Sequence, residues 1–274
     1  MPKEICNESI IAFQRQVMSW WKTNVRDLPW RKDPSPYNVL ISEFMLQQTQ
    51  VSRVVLKYLE FLDAFPTLEK LAFADAKQVL RVWSGLGYNR RAVWLRNAAR
   101  QIIEKVKFPQ TVKELSQLKG IGPYTSRSIL IFAFNKDLAT VDTNIRRVLI
   151  ASSFADEEMS KLQLQEIADR LLLRGRSRDW HNALMDYGSM VLTASSTGVA
   201  PLSHQPEFQG SIRQLRGAII RILICTNSMN LEEILRELQN EKTGCSNVEE
   251  VLETLISENL VERTNECEFR IAEC

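Results

Sequence analysis

Leu118-Lys119-Gly120-Ile121-Gly122-Pro123-Tyr124-Thr125, with Val141-Asp142-Thr143-Asn144 after it, is the stretch on which the reading of this chain turns. Val112, Leu115 and Leu118 share one face of a short helix over 112–118. Two glycines then stop it, and a strongly apolar helix is predicted over 125–134. Gly120 and Gly122 bracket Ile121, so the turn is expected to adopt positive φ while the isoleucine plugs the hairpin from below. The amides of Gly122, Tyr124 and Thr125 then lie at a helix N-terminus, where unsatisfied donors and the helix dipole hold a phosphate. Such a grip reads backbone and not base sequence. An ordinary glycine-capped helix pair fits the same spacing, so the motif alone leaves both readings open.

Outward from the hairpin the front of the chain reads as nearly all helix. Helical spacing covers 10–22, 36–62, 67–73, 76–83, 90–105, 143–152, 161–173 and 179–192, with short polar or Gly/Pro breaks. No strand pattern precedes residue 259, and 193–210 lapses into Ser, Thr, Gly and Pro, the composition of a linker. Beyond it, helices are predicted over 212–225, 231–239 and 247–258, then strands over 260–263 and 267–271 flanking Asn265-Glu266. Three helices and a hairpin outline a winged helix-turn-helix, which reads DNA through its second helix. Here that helix carries Glu232, Glu233 and Glu237 against Arg236, and repulsion from phosphate disfavours direct contact.

Charge supports that division. From Ser211 onward 7 basic residues stand against 12 acidic, whereas the first 210 residues carry 28 basic against 21 acidic. Polyanion binding therefore belongs to the front. The 274 residues, 45% of them apolar, allow one to three domains with a real core. The longest apolar runs fall far short of a membrane span and the first nine residues are polar, so a soluble cytoplasmic protein, nucleoid-associated and with no membrane partner, is expected. Five widely spaced cysteines without a C-x-x-C pair imply neither a disulfide framework nor a metal site.

A second constellation lies upstream. Arg26-Asp27-Leu28-Pro29-Trp30-Arg31 precedes a helix containing Ser42-Glu43-Phe44-Met45-Leu46-Gln47-Gln48-Thr49-Gln50. Glu43 sits in an otherwise apolar run, where a carboxylate is either paired, with Arg31 or Arg26 as candidates, or kept protonatable for acid catalysis. Gly85-Leu86-Gly87-Tyr88 is a glycine-relaxed loop presenting an aromatic, which either caps the core or wedges between bases.

The segments 26–31, 42–51, 85–92, 118–125 and 141–149, in that order and spacing, resemble the adenine DNA glycosylase (MutY) branch of the helix-hairpin-helix DNA glycosylase superfamily, over residues 10–192. The resemblance implies an all-α fold of two helical subdomains over 1–192, followed here by a linker over 193–210 and a small winged-helix-like domain over 211–274. It implies a monofunctional enzyme of base-excision repair, with double-stranded DNA containing a mismatch or oxidised guanine as partner. Adenine opposite 8-oxoguanine or guanine would be flipped from the duplex into a pocket.

Residue by residue, the resemblance makes Glu43 the general acid and Asp142 the carboxylate that stabilises an oxocarbenium-like sugar, with Tyr124 supporting Asp142 and Asn144 as a helper. Arg26, Leu28, Trp30 and Arg31 match base-pocket positions. Gln48, Thr49, Leu86 and Tyr88 match residues near the opposite guanine and the intercalated step, and Gly120, Gly122, Tyr124 and Thr125 match the phosphate grip. Endonuclease III relatives carry a Schiff-base lysine where this chain has Tyr124, and a phenol cannot form that adduct, so an abasic site is the expected product.

Two departures bear on the carry-over. Most of the family holds a [4Fe–4S] cluster on four cysteines, whose places here are Leu192, Val199, Leu202 and Phe208. No cluster or other cofactor is expected, and a small hydrophobic plug is expected instead. The tail replaces a Nudix-like domain found in many members, and its partner is unassigned; a monomer is expected. A thymine or uracil mismatch glycosylase, since the Tyr124 and Asp142 pair also occurs in that branch, and a non-catalytic damage-binding protein stay open as alternatives. Glu43 favours a purine leaving group, whose ring nitrogen needs a proton donor.

Overall fold

The computed structural model describes residues 6–105, 107–200, 207–241 and 247–273. In chain order the helices are α1 (Asn7–Trp21), α2 (Pro29–Lys32), α3 (Pro36–Leu46), α4 (Val51–Ala64), α5 (Leu68–Ala72), α6 (Ala76–Trp83), α7 (Arg90–Ile103) and α8 (Val112–Leu115). They continue as α9 (Pro123–Phe134), α10 (Thr143–Ala151), α11 (Lys161–Arg170), α12 (Ser177–Met190), α13 (Ala194–Thr197), α14 (Ile212–Cys225), α15 (Leu231–Asn240) and α16 (Val248–Ser257). Strands β1 (Val261–Arg263) and β2 (Phe269–Ile271) pair antiparallel, with Val261 opposite Ile271 and Arg263 opposite Phe269. The described residues form a mostly helical fold with a small C-terminal β-hairpin.

Beyond shifts of a few residues at element ends, one helix break and two single turns among the described residues depart from expectation. The helix expected over 36–62 is interrupted between α3 and α4, where Gln48 takes a left-handed backbone at φ 56°. No glycine or proline marks that break, so periodicity ran through it. The linker holds one helical turn, α13, whose N-cap Thr193 accepts from Ser196 N at 3.1 Å. The single turn α2 starts at Pro29, which occupies the first helical position, where its missing N–H costs nothing.

The chain divides into two compact units, with one boundary inside α3. The first unit comprises Met1–Val39, Gln110–Gln117 and Ile121–His204. Its core joins Phe13 and Val17 of α1, Ile145, Val148 and Leu149 of α10, and Trp180, Ala183 and Leu184 of α12. Phe13 meets Trp180 edge-on at 5.8 Å between ring centres. Side-chain caps define the helix starts: Thr111 and Glu114 form a capping box on α8, and Ser160 and Gln163 form one on α11.

The second unit comprises Leu40–Pro109, Leu118–Gly120 and Gln205–Cys274. Leu40, Ile41, Phe44 and Met45 of α3 are fully buried with Phe61 of α4 and Trp83 of α6. Helix α14 packs on α6, where Lys77 Nζ donates to Thr226 O and Arg81 Nη2 to Ile224 O at 3.2 Å. The apolar stripes of α14, α15 and α16 close a core over the hairpin through Ile219, Leu223, Ile234, Leu252 and Phe269. On α15 the buried Ile234 and Leu238 leave Glu232, Arg236 and Glu237 on the exposed face. No helix among the described residues is long and apolar enough to cross a membrane.

Candidate functional site

In the first unit, Asp142 caps α10. Its Oδ1 accepts from Ile145 N at 2.7 Å, and its Oδ2 accepts from Asn144 Nδ2 at 3.0 Å. Asn144 is held in turn by Arg147, whose Nη2 donates to Asn144 Oδ1 and to Gly188 O, both at 2.7 Å. Part of the Asp142 surface stays open, yet the protein atoms around it desolvate the carboxyl and raise it above its ordinary value, with the bonds from Ile145 and Asn144 opposing that shift. A carboxylate so placed is oriented, reachable and poorly solvated.

The backbone leading into Asp142 is fixed by His181. Thr140 N donates to His181 Nε2 at 3.1 Å, and His181 Nδ1 donates to Ser177 O at 2.7 Å. Burial pushes this imidazole down to about 4, so the neutral tautomer required by those two bonds persists. On the other side, α10 approaches α12 closely at Gly188. A Cβ there would lie 2.8 Å from Asn144 O and 3.0 Å from Asn144 Cβ.

The segment 26–31 is anchored by Asp186, which the sequence reading passed over. Arg26 Nε donates to Asp186 Oδ1 at 2.5 Å, and Arg31 reaches the two oxygens in a fork at 2.7 and 2.9 Å. Trp21 Nε1 adds a bond at 2.9 Å. Burial alone would raise the Asp186 carboxyl, but bonding to and the charge of Arg31, with Trp21 and Arg26 behind them, hold it below the usual carboxylate range. Both arginines expected as partners of Glu43 thus pair with Asp186. Leu28 and Trp30 are buried beside them.

At the hairpin, Gly120 takes φ 90°, and a Cβ there would meet Trp94 Cε3 at 2.7 Å and Phe44 Cε1 at 2.9 Å. Only glycine fits. Gly122 differs from expectation: at φ −86° and ψ −179° it is extended backbone, serving as the N-cap of α9. Ile121 is buried as the plug, while Gly122, Pro123 and Tyr124 are exposed. The first intrahelical bond of α9 runs from Ser126 N to Gly122 O at 2.9 Å, so the amides ahead of it point outward along the axis.

In the second unit, Glu43 is 9% exposed on the buried face of α3, next to the fully buried Phe44. Gln47 Nε2 donates to Gly120 O at 3.2 Å, tying the hairpin glycine to the turn that carries Gln48 and Thr49. Gln48 and Tyr88 are exposed, and Tyr88 OH accepts from Arg213 Nη1 at 3.3 Å. Leu86, expected near the opposite guanine and the intercalated step, is 3% exposed and anchors the 85–88 loop from inside. The spacing of the motif gave Leu86 the same standing as Tyr88; only burial separates them.

The four places of the cluster cysteines, expected to form a hydrophobic plug, differ in burial where they are described. Leu192 packs against the first unit's core and Val199 is buried, but Phe208 is 60% exposed and Leu202 lies outside the described residues. Hydrocarbon side chains offer no thiolate, so these residues do not fit an iron–sulfur cluster. Two arginines brace this loop. Arg147 Nε donates to Leu192 O at 2.6 Å and Arg146 Nη1 to Ala200 O at 3.2 Å.

Residues 41–172 match the family model described as HhH-GPD superfamily base excision DNA repair protein. The adenine DNA glycosylase of Mycolicibacterium smegmatis is 32% identical to this chain, over 94% of the chain and 95% of that protein. The adenine DNA glycosylase of Rattus norvegicus is 38% identical over 67% of the chain but only 39% of its own length, so the chain spans well under half of that relative. A solved thermostable thymine-DNA glycosylase superposes with a TM-score of 0.62 at 27% identity, over 70% of this chain and 94% of that one.

Proposed function

Since this chain belongs to the adenine DNA glycosylase family, within the HhH-GPD superfamily of base excision DNA repair proteins, we propose that it excises adenine mispaired with 8-oxoguanine or guanine and leaves an abasic site. The flipped base would be protonated on a ring nitrogen by Glu43, and the electron pair of the glycosidic bond leaves with it as neutral adenine. Positive charge then develops at the sugar, where Asp142 offsets it. Water adds to the sugar carbon and gives up a proton to the Glu43 carboxylate left ionised by the first step, completing hydrolysis.

The observation that carries this reading is the setting of Asp142. Its carboxylate is oriented by Ile145 N and Asn144, and burial raises it, so its ionised form is the one with most to gain from a cation forming beside it. Exposed Tyr124 at the start of α9 has no amine with which to form a Schiff base, which supports base removal without strand cleavage. A thymine or uracil target is the alternative, and the likeness to the thymine-DNA glycosylase favours thymine. Glu43 opposes it, because a purine leaving group is the one that needs a proton donor.

Glu43→Gln provides the test. Excision of adenine under single-turnover conditions at neutral pH is expected to fall about 100- to 10,000-fold, the range general acid catalysis supplies. Unchanged rates across the pH profile would make Glu43 a structural carboxylate only.

A further inference from the structure

Arg91 is 5% exposed, and among the described residues its hydrogen-bond and ring partners are all neutral. Its Nη1 donates to Phe44 O at 2.7 Å, Met45 O at 3.0 Å and Gln47 O at 2.6 Å. Its Nη2 donates to Thr49 Oγ1 at 3.0 Å, Leu86 O at 3.3 Å and Gly87 O at 3.1 Å. The guanidinium also lies 5.3 Å from the Trp83 ring centre and 5.4 Å from that of Tyr88. Burial lowers even this strong base to about 10. Burying a cation without a counter-charge is costly, and an apolar side chain of similar size would fill the space with no such cost.

What the cation secures is the joint geometry of two turns. The carbonyls of Phe44, Met45 and Gln47 end α3, and those of Leu86 and Gly87 belong to the loop before α7. Each turn holds a non-glycine residue in the left-handed region, Gln48 at φ 56° and Tyr88 at φ 49°. The carbonyl just before each of them, Gln47 O and Gly87 O, is bound by the same guanidinium. Such backbone is strained and persists where its surroundings over-determine it. Gln48 and Tyr88 are also exposed, at the two places assigned above to the opposite base and the wedge.

We propose that Arg91 is a positioning residue for mispair recognition, fixing both strained turns through one planar group so that Gln48 and Tyr88 meet the duplex as a single rigid surface. The proposal rests on the reading of the chain as a mispair-specific glycosylase. Lysine keeps the charge but is a point donor, and it cannot span six acceptors on two turns.

The test compares the full-length chain with Arg91→Lys, after circular dichroism and a thermal melt establish folding. Two readouts are taken on duplexes with adenine opposite guanine: binding, with a 2′-fluoro sugar that resists hydrolysis, and fluorescence of 2-aminopurine next to the guanine, which reports unstacking by the wedge. Arg91→Lys is expected to lower the preference for mispaired over matched duplex about tenfold or more, and to lose the fluorescence rise, as expected when preorganised groups are loosened. Affinity for matched duplex and its salt slope should stay as in the parent chain. A folded variant with unchanged preference and fluorescence would overturn the proposal.

Should the lysine variant fold poorly, Arg91→Ala purified with methylguanidinium gives the same comparison. Loss of preference on removing the ion, and its return on re-adding it, is expected; a preference indifferent to the ion overturns the proposal. A parent chain that binds mispairs but excises no adenine would sink the activity assigned above while leaving the two Arg91 readouts intact.

Discussion

A carboxylate that folding leaves poorly solvated is available to a cation that appears only during reaction, and Asp142 is in that state. Because burial raises its folded-state pKa, its contribution to stability is fully present below the unfolded value of 3.8 and is lost as pH rises through the higher folded value. At neutral pH the ionised side chain therefore costs stability relative to a neutral isostere. Asp142→Asn keeps a cap for Ile145 N. We expect it to bind mispaired duplex, to lose base excision, and to melt higher than the parent at pH 7, with the gain vanishing near pH 3.5. A lower melting temperature at pH 7, or normal single-turnover excision, would contradict this account of Asp142. Glu43 and Asp142 stand out in the sequence as candidates because a motif surrounds each. Asp186, Arg147 and Arg91 were not, since what they do depends on partners far along the chain: Asp186 meets Arg26 across 160 positions. A buried arginine on an apolar helix face was the one signal available for Arg91, and it looks the same in sequence as a solvated one.

Elements carry these residues, and their close approaches decide whether the residues are in register. The start of α10 is held against α12 at Gly188, where the nearest atom to an added methyl is a backbone oxygen and cannot move aside cheaply. Gly188→Ala should displace Asn144 and, through it, Asp142. We expect a loss of about 1–3 kcal/mol of stability from overpacking, read from urea unfolding, and a drop in single-turnover excision larger than any drop in duplex affinity. Excision and stability matching the parent would show that α10 and α12 have slack at this crossing. Most helices were legible from apolar periodicity, and the hairpin of α8 and α9 from its glycines. The break between α3 and α4 was not, because Arg91 and the left-handed Gln48 make it without any breaker in the sequence. Gly122 was assigned a positive φ that its place as N-cap of α9 does not need.

On the scale of the whole molecule, charge and acid sensitivity are unevenly shared. His181 of the first unit is lowered from 6.5 to about 4, so the unfolded chain binds its proton first. Its contribution is fully present above pH 6.5 and is lost as pH falls toward 4, at about 1.4 kcal/mol per pH unit. Asp186, held low by its arginines, adds a loss that begins only below the unfolded carboxylate value of 3.8. Between pH 7 and 4.5 the urea midpoint should therefore fall more steeply for the parent than for His181→Phe. A parent profile parallel to that of the variant over this range would contradict the buried neutral imidazole. The acidic tail, read from charge as a body apart from DNA, is packed on α6 and reaches Tyr88 through Arg213, a placement that composition does not encode. We expect the front of this chain to remove adenine, and no other base, from a mispair. Single-turnover reactions of the full-length protein on one panel of duplexes, with adenine opposite 8-oxoguanine, guanine or thymine and with thymine or uracil opposite guanine, test it most directly. We predict adenine release opposite 8-oxoguanine and guanine, with strand breaks appearing only after alkali; release of thymine or uracil with adenine untouched, or strand cleavage without alkali, would contradict it.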